Sequence, residues 1–265
     1  MSASLSTCAL CPRLCRPACP VTTGTAREAA VPTQIAGILL QHSRGEVTPA
    51  LAAEAASLCV DCGACQEHCH IHHPLPELLR MARGQLLPTP SMEALQAVEG
   101  EGSLIVVESD ERPLARAVAK RLGTSVRRWP TRDAFGAAAV EHDVWSGRAQ
   151  QLRDVVGEAT VIVADGAVAH ALDSAGVATK WLHDHLAVDG LLNSCRSGGT
   201  PGPTACCGGA GPLKREHPSD AEILGKWWLD RAEPARYADS RCRNHLRSCG
   251  GEVTDLVDEL VGDLQ

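Results

Sequence analysis

The chain has 265 residues, which is enough for a full hydrophobic core and for two or three compact units. A net charge of −7 and an aromatic content of only 3% argue against a nucleic-acid-binding protein, which would need basic patches and stacking platforms. No stretch approaches the about 18 consecutive apolar residues of a membrane helix. The sequence therefore predicts no membrane span, and we expect contact with a membrane only through a partner.

The N-terminus, from Met1 to Cys8, lacks the charged and apolar regions of a signal peptide, so we expect a cytoplasmic protein. Thiols stay reduced in that compartment, and patterned cysteines there are typical of metal ligands. The 13 cysteines of the chain are therefore interpreted first as metal ligands rather than as disulfides.

Residues 1–90 are predicted to form a cysteine-rich, helical unit. Its helices are expected to run from Pro32 to Gly45, from Thr48-Pro49 to Leu58 and from Pro76 to Leu87. Residues 88–102 carry the proline and glycine punctuation of a linker, and we place the linker itself at 91–102.

Beyond the linker, short apolar runs alternate with helical patterns, which predicts an α/β unit with a mostly parallel sheet over residues 103–175. The expected strands of this unit are Leu104–Val107, Ser125–Trp129 and Thr160–Val163. Residues 176–265 follow this plan more loosely, with expected helices at Asp220–Ala232 and Val253–Leu260. The two segments form a loose pseudo-repeat, in which Phe135-Gly136 and His170 correspond to Cys207-Gly208 and His245.

Two runs of four cysteines carry the clearest chemical signal. They are Cys8-x2-Cys11-x3-Cys15-x3-Cys19-Pro20 and Cys59-x2-Cys62-x2-Cys65-x3-Cys69. Eight thiolates at these spacings fit two [4Fe–4S] clusters. In two-cluster ferredoxins the fourth cysteine of each run serves the other cluster. Applied here, that rule assigns one cluster to Cys8, Cys11, Cys15 and Cys69, and the other to Cys59, Cys62, Cys65 and Cys19.

Two details depart from the ferredoxin pattern. Three residues, rather than two, separate Cys11 from Cys15, and His70 replaces the proline that usually follows the fourth cysteine. An alternative is structural zinc, since two Cys-x2-Cys pairs can form a tetrahedral site. The neighbouring histidines could bind metal or form a solvated turn near the clusters; they are His68, His70, His72 and His73.

The last five cysteines contain a second motif, Thr204-Ala-Cys206-Cys207-Gly208-Gly209. This stretch resembles the Cys-Cys-Gly domain of the iron–sulfur subunits of heterodisulfide reductase, glycerol-3-phosphate dehydrogenase and glycolate oxidase. In that family a Cys-x2-Cys pair follows at a similar interval. Here 34 residues separate Cys207 from Cys242, and His245 stands where the second cysteine of the pair would be.

The resemblance also includes the N-terminal two-cluster module, so it implies a fold for nearly the whole chain. That fold is α+β overall, with a helical two-cluster ferredoxin-like N-terminal domain followed by α/β Cys-Cys-Gly-type repeats. The first repeat, 103–175, has no cysteines, and the second, 176–265, is partial. The segment His183-Asp184-His185-Leu186 also lacks the cysteine that family members usually have there.

The resemblance therefore implies at most one additional metal or cluster site in the C-terminal part. Its ligands would be Cys206, Cys207, Cys242 and one of Cys195, His245 or Cys249. Two alternatives stay open: these cysteines are buried remnants without metal, or they form a reactive dithiol.

Three functions follow as hypotheses. In the first, the chain is an iron–sulfur electron-transfer subunit of an oxidoreductase complex rather than a catalyst alone. The resemblance implies a flavin-dependent dehydrogenase as donor and a quinone reductase or another redox carrier as acceptor. The second is a thiol/disulfide oxidoreductase of the heterodisulfide reductase kind, which uses a cluster at Cys206, Cys207 and Cys242. The third is an assembly subunit or redox sensor whose clusters are structural.

Overall fold

A computed structural model of the chain describes residues 2–12, 14–87, 96–108, 112–130, 149–186, 207–209, 212–231, 236–237 and 240–264. Cys195, Cys206 and the Phe135-Gly136 pair lie outside these residues, as do residues 91–95 of the predicted linker. The described part contains helices and a parallel sheet, in agreement with the α+β prediction.

Six helices build the N-terminal part. They are α1 (Ser2–Ala9), α2 (Pro20–Thr25), α3 (Pro32–Ser43), α4 (Pro49–Ser57), α5 (Ala64–Glu67) and α6 (Leu75–Leu86). Prolines begin α2, α3 and α4, where the missing amide hydrogen costs no helical hydrogen bond. The side chain of Thr48 caps α4 by accepting a hydrogen bond from the amide of Leu51 at 3.3 Å. Ile35, Leu39 and Leu79 lie in the shared apolar core of these helices.

In the second part, the described residues form a four-stranded parallel sheet. Its strands are β1 (Leu104–Glu108), β2 (Val126–Pro130), β3 (Thr160–Val163) and β4 (Thr179–Trp181), in the order β2-β1-β3-β4. Its helices are α7 (Leu114–Leu122), α8 (Ala149–Val156), α9 (Gly166–Ser174) and α10 (Leu182–His185). Ile105 packs into the core on the α8 and α9 side, and Val106 into the core on the α7 side. Both faces of the sheet are therefore covered, as parallel sheets require.

Within the described residues, the C-terminal part adds four helices and a short two-stranded parallel sheet. These elements are α11 (Pro212–Glu216), α12 (Pro218–Leu229), β5 (Arg236–Tyr237), α13 (Ser240–Ser248), β6 (Thr254–Asp255) and α14 (Leu256–Gly262). The order α12-β5-α13-β6-α14 repeats the order α8-β3-α9-β4-α10, and each strand pair is parallel.

The sequence supports this internal repeat at a constant shift of 74 residues. At that shift, residues 160–186 and 234–260 are identical at eight pairs: Ala164/Ala238, Asp165/Asp239, Leu172/Leu246, Ser174/Ser248, Gly176/Gly250, Leu182/Leu256, Asp184/Asp258 and Leu186/Leu260. Gly176 and Gly250 both have positive φ, at +74° and +93°, and each follows the helix that precedes the second strand. The shift pairs His170 with Asn244, one position away from the His245 that the sequence pattern suggests.

The elements of the C-terminal part pack on two different cores. Leu213 and Leu224, from α11 and α12, are fully buried among the N-terminal helices. The Nε2 atom of His217 lies 2.7 Å from the hydroxyl oxygen of Ser57. Asp220 forms an ion pair with Arg27. The closing helix α14 instead packs against α7 and the sheet. One side of the cysteine-rich unit is thus covered by the chain itself.

Candidate metal centre

Four thiols of the first candidate ligand set line one pocket. This outer set consists of Cys8, Cys11, Cys15 and Cys69. Cys8 lies near the end of α1, Cys11 follows the helix, and Cys15 precedes a short 3-10 turn. Cys69, although it belongs to the second run, is brought to the same pocket by the turn that follows α5. Leu14, Ile71 and Leu75 complete the apolar part of the wall.

The other four thiols line a second pocket. This inner set consists of Cys19, Cys59, Cys62 and Cys65. Cys19 directly precedes Pro20, the first residue of α2, and Cys65 lies in α5. Between Cys59 and Cys65 the chain turns tightly through two residues of positive φ, Asp61 at +58° and Gly63 at +76°.

The structure thus brings together the two sets that the exchange of fourth cysteines predicts. Cys69 lies with the first run and Cys19 with the second. Cys65 lines both pockets, so the two pockets adjoin. That each set binds a cluster stays a prediction, to which we return below.

The thiols of the outer set are electrostatically coupled. Burial, followed by the neighbouring thiols of Cys15, Cys69 and Cys11, raises the pKa of Cys8 to about 12. Burial and the thiol of Cys11 raise the pKa of Cys15 to about 11. The thiolate forms of Cys8 and Cys15 are costly here because burial removes water from them and neighbouring thiolates would carry like charge.

Three thiols of the inner set show the same effect. Burial, together with Cys59, raises the pKa of Cys19, and burial with Cys19 nearby raises that of Cys62. Burial also raises the pKa of Cys65, and the neighbouring thiols of Cys59 and Cys62 add to that effect. Thiols gathered in this way keep their protons unless a cationic metal centre takes the place of those protons. The donor set of each pocket therefore fits the iron of a [4Fe–4S] cluster, which takes one thiolate at each corner.

Within the described residues, no three Cys, His, Asp or Glu side chains converge closely enough to hold a single metal ion. Each set of thiols borders a cavity instead. Four thiols around one cavity match the donor set of a [4Fe–4S] cluster.

A buried ionic group supports the inner set. Asp61 is 8% exposed and pairs with Arg80 at 3.1 Å and with Arg83 at 3.3 Å, and Arg83 has no exposed surface. The amide of Asp61 lies 3.3 Å from the sulfur of Cys59, to which it donates a hydrogen bond. The ion pairs tie the cysteine loop to α6. The sequence analysis missed this group, although Arg80 and Arg83 are three residues apart on one helix.

The neighbouring histidines take different positions. Nε2 of His73 lies 2.9 Å from the carbonyl oxygen of Ser4, so His73 joins the second cysteine run to α1. His70 lines the outer pocket beside the thiols. His72 has a φ of +47° in the exposed turn that leads to Pro74.

The C-terminal residues of the predicted third site lie close to one another. Cys207 and Cys242 are both completely buried, in a cluster with Trp228, Tyr237 and Leu246. Trp228 donates a hydrogen bond from Nε1 to the Tyr237 hydroxyl at 3.0 Å. Burial raises the pKa of Tyr237, and the adjacent Cys207 and Cys242 add to that effect.

His245 lies on the same helix as Cys242, and Cys249 is the first residue after that helix. Nε2 of His245 is 3.0 Å from the carbonyl oxygen of Ala221 and 3.8 Å from the sulfur of Cys249. Nδ1 of His245 is buried without a hydrogen-bond partner. The spacing of Cys242 and His245 places both on one face of α13, and Cys249 follows the helix on the side of His245. Because no helix was predicted over 240–248, the sequence analysis missed this relationship.

Glycines allow the elements around Cys207 to approach closely. Gly208 has a φ of +83°, and a Cβ atom there would lie 3.1 Å from Leu224. A Cβ at Gly209 would lie 2.7 Å from Cβ of His245, and one at Gly225 would lie 2.6 Å from the sulfur of Cys249. The Cys207-Gly208-Gly209 segment is therefore pressed against α12 and α13.

Comparison with known proteins bears on the cysteine-rich unit. Residues 4–73 match the family model of a 4Fe-4S dicluster domain. The chain is therefore an iron–sulfur protein, and its dicluster domain includes both runs of cysteines. No curated protein and no solved structure matches the chain. The resemblance of the C-terminal part to Cys-Cys-Gly domains stays a prediction.

The dicluster domain fits a role in iron–sulfur electron transfer, and it implies redox partners. Among the described residues, no helix is both long and apolar enough to cross a membrane.

Proposed function

We propose that the chain is an electron-transfer subunit with two [4Fe–4S] clusters in its dicluster domain. The outer set would hold one cluster and the inner set the other. The observation that carries this proposal is the pairing of two four-thiol pockets that share Cys65 as a common wall. When bound, each cluster takes up and releases one electron at a time.

The surroundings of the pockets support this function. Adjoining pockets keep two redox centres close together, as stepwise transfer of single electrons requires. The inner pocket is lined by apolar residues such as Val21, Ile35 and Leu79, which exclude water. The Asp61 ion pairs fix the loop that carries Cys59 and Cys62. Hydrogen bonds, charges and burial of this kind set cluster potentials.

The proposed partners come from the family resemblance. The donor would be a flavin-dependent dehydrogenase, and the acceptor a quinone reductase or another redox carrier. In such a complex the partner carries out the substrate chemistry, and this chain conducts the electrons.

Iron and acid-labile sulfide analysis of anaerobically purified protein, combined with EPR, tests the proposal. We expect about eight iron and eight sulfide per chain, and EPR signals that dithionite induces and a carrier removes. Cys62→Ser should lose about half of the iron, whereas Cys249→Ser, the matched control outside the dicluster domain, should lose none of those eight. Zinc without acid-labile sulfide would refute the proposal.

A second candidate function is thiol or disulfide chemistry at Cys206, Cys207 and Cys242. A packing contact favours it, because Leu224 lies between the two parts. A Cβ atom at Gly24 of α2 would lie 2.9 Å from Leu224, and one at Gly208 would lie 3.1 Å from it. Cys19 directly precedes α2 and Cys207 directly precedes Gly208, so this contact connects the inner set to the C-terminal thiols.

Iron content and turnover distinguish the two functions. About twelve iron per chain would indicate a third [4Fe–4S] cluster. If the C-terminal thiols carry out disulfide chemistry, Cys207→Ser abolishes turnover and leaves the EPR signals of both N-terminal clusters intact. Undiminished electron flow between donor and carrier in Cys207→Ser would exclude the second function.

A further inference from the structure

A buried threonine hydroxyl borders the outer pocket. Thr33 lies in the first turn of α3 and is 5% exposed. This residue lines the outer pocket, whereas Pro32 and Ile35 of the same helix line the inner one. The start of α3 therefore lies between the two thiol sets. Within the described residues, the hydroxyl oxygen of Thr33 is buried and has no hydrogen-bond partner.

Two threonines of α2 show where such a hydroxyl can otherwise bond. Thr23 donates to the carbonyl oxygen of Cys19 at 2.8 Å, and Thr25 donates to that of Val21 at 2.6 Å. Both bonds reach back four residues along the chain, a common arrangement for threonine in helices. Thr33 makes no bond of this kind to any described residue. Because buried hydroxyls are paired as a rule, this one requires an acceptor that those residues do not supply.

The other polar residues of the outer pocket are more accessible to solvent than Thr33. Thr7 and His70 are exposed, and the half-buried His73 lies with Nε2 at 2.9 Å from the carbonyl oxygen of Ser4. Apart from its cysteines, the residues described as lining the inner pocket carry no side-chain nitrogen or oxygen. The lining of the outer pocket thus contains a buried hydroxyl, and that of the inner pocket does not.

A cluster in the outer pocket would supply the missing acceptor. The sulfurs of a [4Fe–4S] cluster accept hydrogen bonds, and these bonds help to set the reduction potential. A threonine hydroxyl has one hydrogen to donate. Hydrogen bonds are stronger when the acceptor carries more negative charge, so a donor at this position favours the reduced cluster, which holds one more electron. The cavity of about 180 Å³ also has room for a water molecule, which is the other possible acceptor.

We propose that the hydroxyl of Thr33 donates a hydrogen bond to the cluster of the outer set and thereby raises the reduction potential of that cluster. This inference rests on the proposed electron-transfer function, and it names a residue, itself not a ligand, that sets one of the two potentials. Thr33 does not line the inner pocket, so the inner cluster receives no such bond from it.

Potentiometric titration of the anaerobic holoprotein, followed by EPR, tests this role. The outer EPR component is the one that Cys8→Ser weakens. Thr33→Val removes the hydroxyl and keeps the branched shape, so the outer cluster should become harder to reduce. At the wild-type midpoint potential, its ratio of oxidised to reduced cluster should rise about tenfold, which is about 59 mV for one electron. Thr33→Ser keeps the hydroxyl and should retain the wild-type potential.

Thr22→Val is the matched control, because Thr22 is a second buried threonine of the dicluster domain that does not line the outer pocket. Burial raises the pKa of the Cys19 thiol, and the nearby Thr22 hydroxyl, which makes no well-aligned hydrogen bond to the described atoms, opposes that increase. Thr22→Val should therefore leave the outer potential at its wild-type value. If it lowers the outer potential as far as Thr33→Val does, the specific role of Thr33 is overturned.

Electron–nuclear double resonance detects the hydrogen bond itself. Reduced protein exchanged into D2O should show a deuteron coupled to the outer EPR component in the wild type and in Thr33→Ser, and Thr33→Val should lack this coupling. An unchanged coupling in Thr33→Val would mean that the hydroxyl bonds to water or to nothing, and would overturn the inference even if the potential shifts. Should Thr33→Val lose iron, Thr33→Ala serves instead, because it removes the same hydroxyl without adding a methyl group.

The outcomes separate this inference from the proposed function. If dithionite induces no EPR signal in the wild-type protein, the proposed function itself fails. If both clusters are reduced and Thr33→Val keeps the wild-type outer potential, only the role of Thr33 is overturned. A downward shift of the inner potential in place of the outer one would overturn it as well.

Discussion

The guanidinium of Arg83, which has no exposed surface, forms an ion pair with Asp61 at 3.3 Å. Asp61 lies in the loop that joins Cys59 to Cys62. A second arginine, Arg80, contacts the same carboxylate at 3.1 Å. A buried charge is tolerated only when it is paired, so the loop and helix α6 depend on each other. The inner set is therefore held by side chains that are not themselves ligands.

Replacing Asp61 by Asn should destabilise the protein by about 3 kcal/mol, because it leaves two arginines next to an amide that carries no charge. Asn adopts the positive φ of this position, so the backbone of the loop is preserved. Denaturant unfolding of the anaerobic holoprotein measures the loss. Glu28→Gln is the matched control, since its ion pair with Arg16 is exposed, so that its loss should change the stability much less. Equal effects of the two substitutions would show that the Asp61 pairs do not support the loop.

The same ion pairs should influence the potential of the inner cluster. Arg80→Gln removes one positive charge beside the inner set and keeps the Arg83 pair. A reduced cluster carries an additional negative charge, so loss of a nearby cation should lower its reduction potential. Potentiometric titration followed by EPR should show one of two potentials shifted downward and the other unchanged. Arg44→Gln, at an exposed site on another helix end, should shift neither potential.

Some of this architecture could be predicted from local sequence signals. Thr48-Pro49 marks the start of α4 because a cap and an N1 proline act within one turn, and the apolar run at 160–163 is a strand in the structure. The predicted helix from Pro32 ends at Ser43, two residues before Gly45, whose φ is +75°. Such features depend on the nearest neighbours in the chain.

Other features depend on contacts that sequence patterns do not contain. Helix α13, with the sequence Ser-Arg-Cys-Arg-Asn-His-Leu-Arg-Ser, has few apolar residues, and it is stabilised by burying Cys242, His245 and Leu246 against distant segments. The Asp61–Arg83 pair joins residues from a loop and a helix. The spacing of cysteines predicts the members of each thiol set, but it does not reveal that Cys65 lines both pockets.

The exchange of fourth cysteines gives a spectroscopic prediction. Cys19→Ser should weaken the same EPR component as Cys62→Ser, because both residues line the inner pocket. Cys69→Ser should weaken the component that Cys8→Ser weakens, since both line the outer pocket. Spectra of the four single variants, normalised to iron content, make this comparison. If Cys19→Ser instead resembles Cys8→Ser, each run binds its own cluster and the exchanged assignment is wrong.

The close approach of α12 and α13 gives a prediction about the C-terminal thiols. A Cβ atom at Gly225 would lie 2.6 Å from the sulfur of Cys249 and 2.9 Å from Nε2 of His245. Gly225→Ala should therefore separate the two helices and destabilise the protein by about 1–3 kcal/mol, despite the better helix propensity of alanine.

Gly37→Ala in α3 is the matched control for this helix contact, because a Cβ there meets nothing within 4 Å. The control should stabilise the protein by about 0.5–1 kcal/mol through helix propensity alone. Thermal and denaturant unfolding of both variants, with equal iron content, give the two values. A Gly225→Ala protein as stable as Gly37→Ala would mean that α12 and α13 lie farther apart, and that His245 and Cys249 are not held against α12.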